Sequence, residues 1–158
     1  MIELTKNINE LQTYLQELSW INQDEVLEKV EKPGEGNMNL TLRLKTNQRS
    51  FILKQSRGYV EKYPQVKAPE DRALNEAAFY ELIASIPKLK SSMPEILAVD
   101  RKNYVLLMED LGEGSDYTFL YQKGSKLSRK ELQQLLDFIS TLHLKVKADT
   151  SPNRIRNL

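Results

Sequence analysis

The chain contains no cysteine and a single histidine among its 158 residues. The first absence removes disulfides, thiolate metal sites and a cysteine nucleophile at once, and is compatible with a reducing compartment. The second leaves His143, within Thr141-Leu142-His143-Leu144, without the companions a metal site needs and with no carboxylate at a spacing suited to acid–base work. It reads as a packing or capping residue of a helix. Neither sign of charge dominates: 23 Lys and Arg stand against 22 Asp and Glu, for a net charge of +1. No long-range field then favours nucleic acid or an anionic membrane. No stretch reaches the roughly 20 apolar residues of a membrane helix. The amino-terminal segment is interrupted by Glu3, Lys6, Glu10 and Glu17, so it holds no continuous apolar signal. The expectation is a cytoplasmic protein with neither a nucleic-acid nor a membrane partner.

What is present is 40% apolar and 28% charged residues, the balance of a folded domain with room for one core, or for a small lobe and part of a second. Ile8, Leu11, Leu15 and Leu18 recur at helical spacing and predict a helix ending near Trp20. Val26, Leu27 and Val30 lead as a first strand to Pro33-Gly34, and Leu40, Leu42 and Leu44 alternate with polar residues as a second. Phe51-Ile52-Leu53-Lys54 makes a third. Residues 56–70, with two prolines and no period, read as a loop. A largely apolar helix from Glu70 to Ile86, expected to be well buried, is stopped by Pro87. Residues 95–99 and 104–108 flank a turn and complete five strands around one inserted helix. A boundary belongs after Leu111, dividing a first domain (1–111) from a second (112–158). In the second, Ser128-Arg129-Lys130-Glu131 caps an amphipathic helix to about Val146.

Three places could carry chemistry. In Gly34-Glu35-Gly36-Asn37-Met38-Asn39, the glycines allow a tight turn and close approach of backbone N–H groups to phosphate oxygens, while Asn37 and Asn39 tolerate left-handed backbone or bond to phosphate. Taken alone, such a pattern is more often only a turn. Lys54 closes an apolar strand on the face it shares with Ile52, where an ammonium needs an anion. Glu76 suits that role, because positions 73, 76, 80 and 83 share a helical face that is otherwise apolar; Glu70 and Glu81 are rivals. The blander alternative makes Glu76 a solvated helix residue and Lys54 an edge-strand gatekeeper. Third, Met108-Glu109-Asp110-Leu111 ends an apolar strand and offers either a backbone edge to a planar base or merely two solvated acids.

Taken in order, these residues resemble the amino-terminal lobe of the aminoglycoside phosphotransferase and choline kinase superfamily of small-molecule kinases. The stretches Gly34 to Leu40, Lys54-Gln55, Asp71-Arg72-Ala73 and Met108 to Leu111 are most similar to the methylthioribose kinases. The resemblance covers about residues 25–111. It implies an α+β fold, a kinase-like five-stranded antiparallel sheet with one inserted helix, followed by the linker and first helices of a second lobe. It further implies that Gly34, Gly36, Asn37 and Asn39 lie over the ATP phosphates, that Lys54 contacts the α- and β-phosphates, and that Glu76 orients Lys54. Ile52 would press on adenine, Met108 would be the gatekeeper, and the Glu109 carbonyl and Leu111 amide would pair with the base. The partners implied are ATP, Mg2+ and a small hydroxyl-bearing acceptor.

Two departures matter. Asn39 stands where protein kinases place a third loop glycine, which agrees with the small-molecule branch. No His-x-Asp catalytic loop or downstream metal motif occurs, since His143 is followed by Leu144 and Lys145. The expectation is therefore nucleotide binding without transfer by this chain alone, as the amino-terminal part of a longer protein that supplies the metal ligands. The rivals are a non-catalytic scaffold of the same fold, docking partners through the 128–147 helix, and an unrelated small α+β domain whose glycine turn is only structural. An exposed last helix would also leave an apolar patch able to drive self-association.

Overall fold

The computed structural model describes residues 1–34, 36–114 and 117–146. It is an α+β chain with a five-stranded antiparallel sheet and several helices. The chain divides into two compact units, Met1–Tyr80 with Glu95–Asp110, and Glu81–Pro94 with Leu111–Leu158.

The first unit opens with α1 (Ile8–Glu17), whose N-cap Asn7 accepts hydrogen bonds from the amides of Asn9 and Glu10 at 3.0 and 3.3 Å. The helix stops before Trp20, shorter than its apolar spacing predicts, because Ser19 turns into the left-handed region at φ 56°. Strands β1 (Leu27–Glu31), β2 (Leu40–Thr46), β3 (Ser50–Gln55), β6 (Ile96–Asp100) and β7 (Val105–Glu109) form the sheet in the order β1-β2-β3-β7-β6. Between β3 and the next helix lies a feature that the sequence reads as loop: β4 (Tyr59–Val60) and β5 (Tyr63–Lys67) pair as a small antiparallel ribbon. One arm has two residues and the other contains Pro64, so neither carries a strand signal.

Alternation along β3 sorts the sheet into two faces. Phe51, Leu53 and Gln55 are buried against the core built with α1, where Leu11, Leu15, Leu42, Leu44, Val105 and Leu107 meet. Ile52 and Lys54 point to the other face, which is covered by the start of α2 (Arg72–Ala84) through Ala73 and Ala77 on Leu106 and Met108. The small alanines let the helix backbone lie close to the sheet. That helix is less buried than its composition suggests, with Phe79 at 40% and Leu82 at 42% exposure.

Buried polar groups help hold the first unit together. The Gln55 carboxamide accepts from the Leu4 amide at 2.9 Å and donates to the Ile2 and Asn103 carbonyls at 2.7 and 3.0 Å, fixing the amino-terminal segment where no strand pairs with it. Tyr14 donates to Asp100 at 2.7 Å, and burial together with the Asp100 charge pushes its phenol pKa up. Asp100 also accepts from the Lys102 and Asn103 amides, shaping the turn in which Tyr104 takes φ 53°.

In the second unit Pro87 does more than end a helix. It is the first residue of α3 (Pro87–Lys90), where its missing N–H costs nothing. The capping box predicted at Ser128 and Glu131 is present in α4 (Arg129–Lys145), with reciprocal bonds of 3.2 and 2.8 Å. Along α4, Leu132, Leu136 and Ile139 are each about half exposed.

Candidate functional site

Strand register places Lys54 opposite Thr41 on β2 and Leu106 on β7, in the middle of the sheet. Its side chain rises from the α2 face, and its Nζ donates to Glu76 Oε1 at 2.6 Å. Both side chains are about three-quarters buried, at 24% and 25% exposure, so the pair is shielded yet reachable. Glu76 is not the solvated helix residue, nor Lys54, paired with a strand on either side, the edge-strand gatekeeper, of the blander alternative, and Glu76 rather than Glu70 or Glu81 is the anion Lys54 meets. One turn further along α2, burial and then the Glu76 charge raise the Tyr80 phenol pKa. An ammonium carries three donors, of which the carboxylate takes one.

The glycine turn lies within one residue of β2, and Leu40 and Thr41 pair with Gln55 and Lys54. The turn therefore ends directly beside the lysine strand. Among the described residues the left-handed glycines are Gly112 and Gly124, and the left-handed non-glycines are Ser19 and Tyr104, so Gly34, Gly36, Asn37 and Asn39 do not need that region. A Cβ on Gly34 would meet nothing within 4 Å, and one on Gly36 only Thr41 Oγ1 at 3.8 Å. The fold itself does not demand glycine at either position. The Asn39 carboxamide oxygen is engaged within the protein, accepting from Arg72 Nε at 3.1 Å. The Asn37 and Met38 carbonyls accept from the Lys62 and Glu61 amides at 3.0 and 3.3 Å, which ties the turn to the β4–β5 ribbon.

At the strand end Met108 is buried and pairs with Ile52, and both belong to the α2-side cluster. Glu109 is exposed, and its carboxylate accepts from the Glu95 amide at 3.1 Å. Asp110 is not a solvated acid: at 4% exposure it lies 3.0 Å from Arg43 of β2, itself 15% exposed. Leu111 is 66% exposed and belongs to the second unit.

Against known proteins, no family model and no curated sequence matches this chain. The geometry must speak for the site.

His143 is exposed in the last turn of α4 and packs no core. Among the described residues no three His, Asp or Glu side chains come together as a metal-binding group, and no helix is long and apolar enough to cross a membrane. Sequence reasoning passed over Arg72 as a site residue. Its guanidinium reaches the Asn39 side chain and the Met38, Arg57, Tyr59 and Pro69 carbonyls, joining turn, ribbon and helix. The only signal was its place in Asp71-Arg72-Ala73, because nothing in helical periodicity marks an arginine that bonds backward to two loops.

Proposed function

We propose that this chain is the ATP-binding, kinase-like amino-terminal part of a small-molecule phosphotransferase acting on a hydroxyl of a sugar, such as methylthioribose, or of an amino alcohol. The observation that carries the reading is the Lys54–Glu76 pair at 2.6 Å, held on a shielded sheet face beside the glycine turn. A lysine fixed by a carboxylate at one donor keeps two for phosphate oxygens, and its charge is not lost to free rotation. The turn offers backbone N–H groups to the same phosphates, with Ile52 and Met108 as the apolar backing for adenine. The absence of any internal steric reason for glycine at Gly36, where an added Cβ would meet only Thr41 Oγ1 at 3.8 Å, agrees with the reading.

Mg2+ does not fit the described residues as ligands. The one carboxylate beside Lys54 is already committed to the ammonium, and no carboxylate cluster accompanies it. On this reading the described residues bind and orient the nucleotide.

Gly36→Ala separates ligand-driven from fold-driven glycine. The thermal midpoint should hold or rise slightly, since an alanine without strain restricts the unfolded chain. Affinity for ATP by isothermal titration should drop about tenfold, because the methyl group obstructs backbone approach to phosphate. Unchanged affinity would mean that the turn does not touch the nucleotide. A second reading, a non-catalytic docking module, draws on the half-exposed Leu132, Leu136 and Ile139 stripe. It predicts no ATP-dependent thermal shift, and a partner-dependent one in its place.

A further inference from the structure

We infer that Arg72 is a positioning residue that makes the glycine turn and the Lys54–Glu76 pair move as one, with the start of α2 as the lever; the part that concerns nucleotide rests on the reading above. Arg72 and Glu76 are four residues apart on α2 and therefore lie one above the other, a turn apart, on the same side of the helix. Glu76 holds Lys54 at 2.6 Å. Arg72 holds the turn by two bonds, Nε to Asn39 Oδ1 at 3.1 Å and a terminal nitrogen to the Met38 carbonyl at 2.8 Å. The same guanidinium donates to the Arg57 and Tyr59 carbonyls at 3.1 Å each and to the Pro69 carbonyl. A guanidinium has five N–H donors in a fixed planar fork, and here five oxygens meet it.

Those contacts settle what Arg72 can do. With its donors turned to protein oxygens it is not a further phosphate ligand, and its effect on a ligand must pass through the segments it joins. The helix start is secured independently of it: the Ser56 hydroxyl donates to the Glu70 carbonyl and accepts from the Ala73 amide at 3.0 Å. Ser56 follows β3 directly, two residues after Lys54. The lysine strand, the turn and the ribbon are thus all anchored to the first two turns of one rigid element. A rotation or shift of α2 that parts Glu76 from Lys54 also pulls on Met38 and Asn39. Release of the turn, in the same way, loosens the helix that holds the carboxylate. This is a two-position device: lysine oriented and turn held, or both let go.

Amide hydrogen exchange of the full chain, followed together with ATP titration, tests it. Arg72→Gln should speed exchange of the Glu61 and Lys62 amides, which donate to the Met38 and Asn37 carbonyls of the turn, by about tenfold while the β2 and β3 amides stay as protected as in the wild type. Glu76→Gln, which touches neither Met38 nor Asn39, should speed exchange of the same two amides bonded to the turn, and this is the result a merely local role for Arg72 cannot give. If Arg72→Gln does not fold, Asn39→Ala cuts the link at the other end and should show the same increase at those amides. In calorimetry, the losses of ATP affinity from Arg72→Lys and Glu76→Gln should be less than additive when combined. Exchange of the two amides unchanged in Glu76→Gln overturns the inference. A wild-type chain that binds no ATP overturns the nucleotide reading and not the linkage, which the exchange experiment decides without ligand.

Discussion

Lys54→Ala should reduce ATP binding below what calorimetry detects while the sheet stays folded. The ammonium is the only positive side chain on the stretch of β3 that alternation aims at α2, and Glu76 holds it in one orientation. Loss of a charge-assisted bond to phosphate costs about 1.5–3 kcal/mol, or roughly ten- to a hundredfold in affinity, before any loss of orientation of the phosphates is added. The sheet still forms, because Leu53 and Gln55 on either side keep the core face intact, although the Glu76 carboxylate, about three-quarters buried, loses its partner. Glu76→Gln gives the milder result: the lysine remains but is no longer fixed, so affinity should fall by less. Wild-type affinity in Lys54→Ala would remove the foundation of the nucleotide reading.

The largest stability effect should come from Glu25, far from that face. Its carboxylate is fully buried and accepts from Thr46 Oγ1 at 2.9 Å and from Arg49 Nε and a terminal nitrogen, both at 3.0 Å. These bonds, with Arg49 first among them, outweigh burial and hold its pKa below the usual carboxylate range. Glu25→Ala should destabilise the chain by about 2–3 kcal/mol, below the full cost of breaking a buried pair because Arg49 is half exposed and can rehydrate. The pH dependence follows in sign. A folded pKa below the unfolded one means that the carboxylate contributes fully above the unfolded value of about 4.3, and that this contribution disappears as pH falls through the folded value. Urea unfolding from pH 7 down to pH 3 should therefore show wild-type stability falling more steeply below about pH 4 than that of Glu25→Ala. Parallel curves would show that Glu25 is not the group responsible.

Strands and helix caps could be read from the sequence because their signals are local. The alternation of Leu40, Leu42 and Leu44, the lone cation after Ile52 and the Ser128 capping box depend only on period and spacing. The partner of Lys54 was legible too, since an otherwise apolar helical face with one acid leaves few choices. What stayed hidden depends on contacts between distant segments. Arg72 bonds to residues 33 and 34 positions earlier in the chain, and Gln55 and Glu25 are polar residues that composition alone places at the surface. The β4–β5 ribbon escaped notice because Pro64 argues against a strand, and its small pairing is completed by the glycine turn it braces. The shielding of Asp110 comes from Arg43, a residue whose position on β2 gives no hint of an acid beyond the end of β7.

Along β3 the residues with odd numbers seal the interior and those with even numbers face the helix. An engineer can therefore rewrite Ile52 and Lys54 to change the surface under the helix while Phe51, Leu53 and Gln55 go on keeping the domain in one piece.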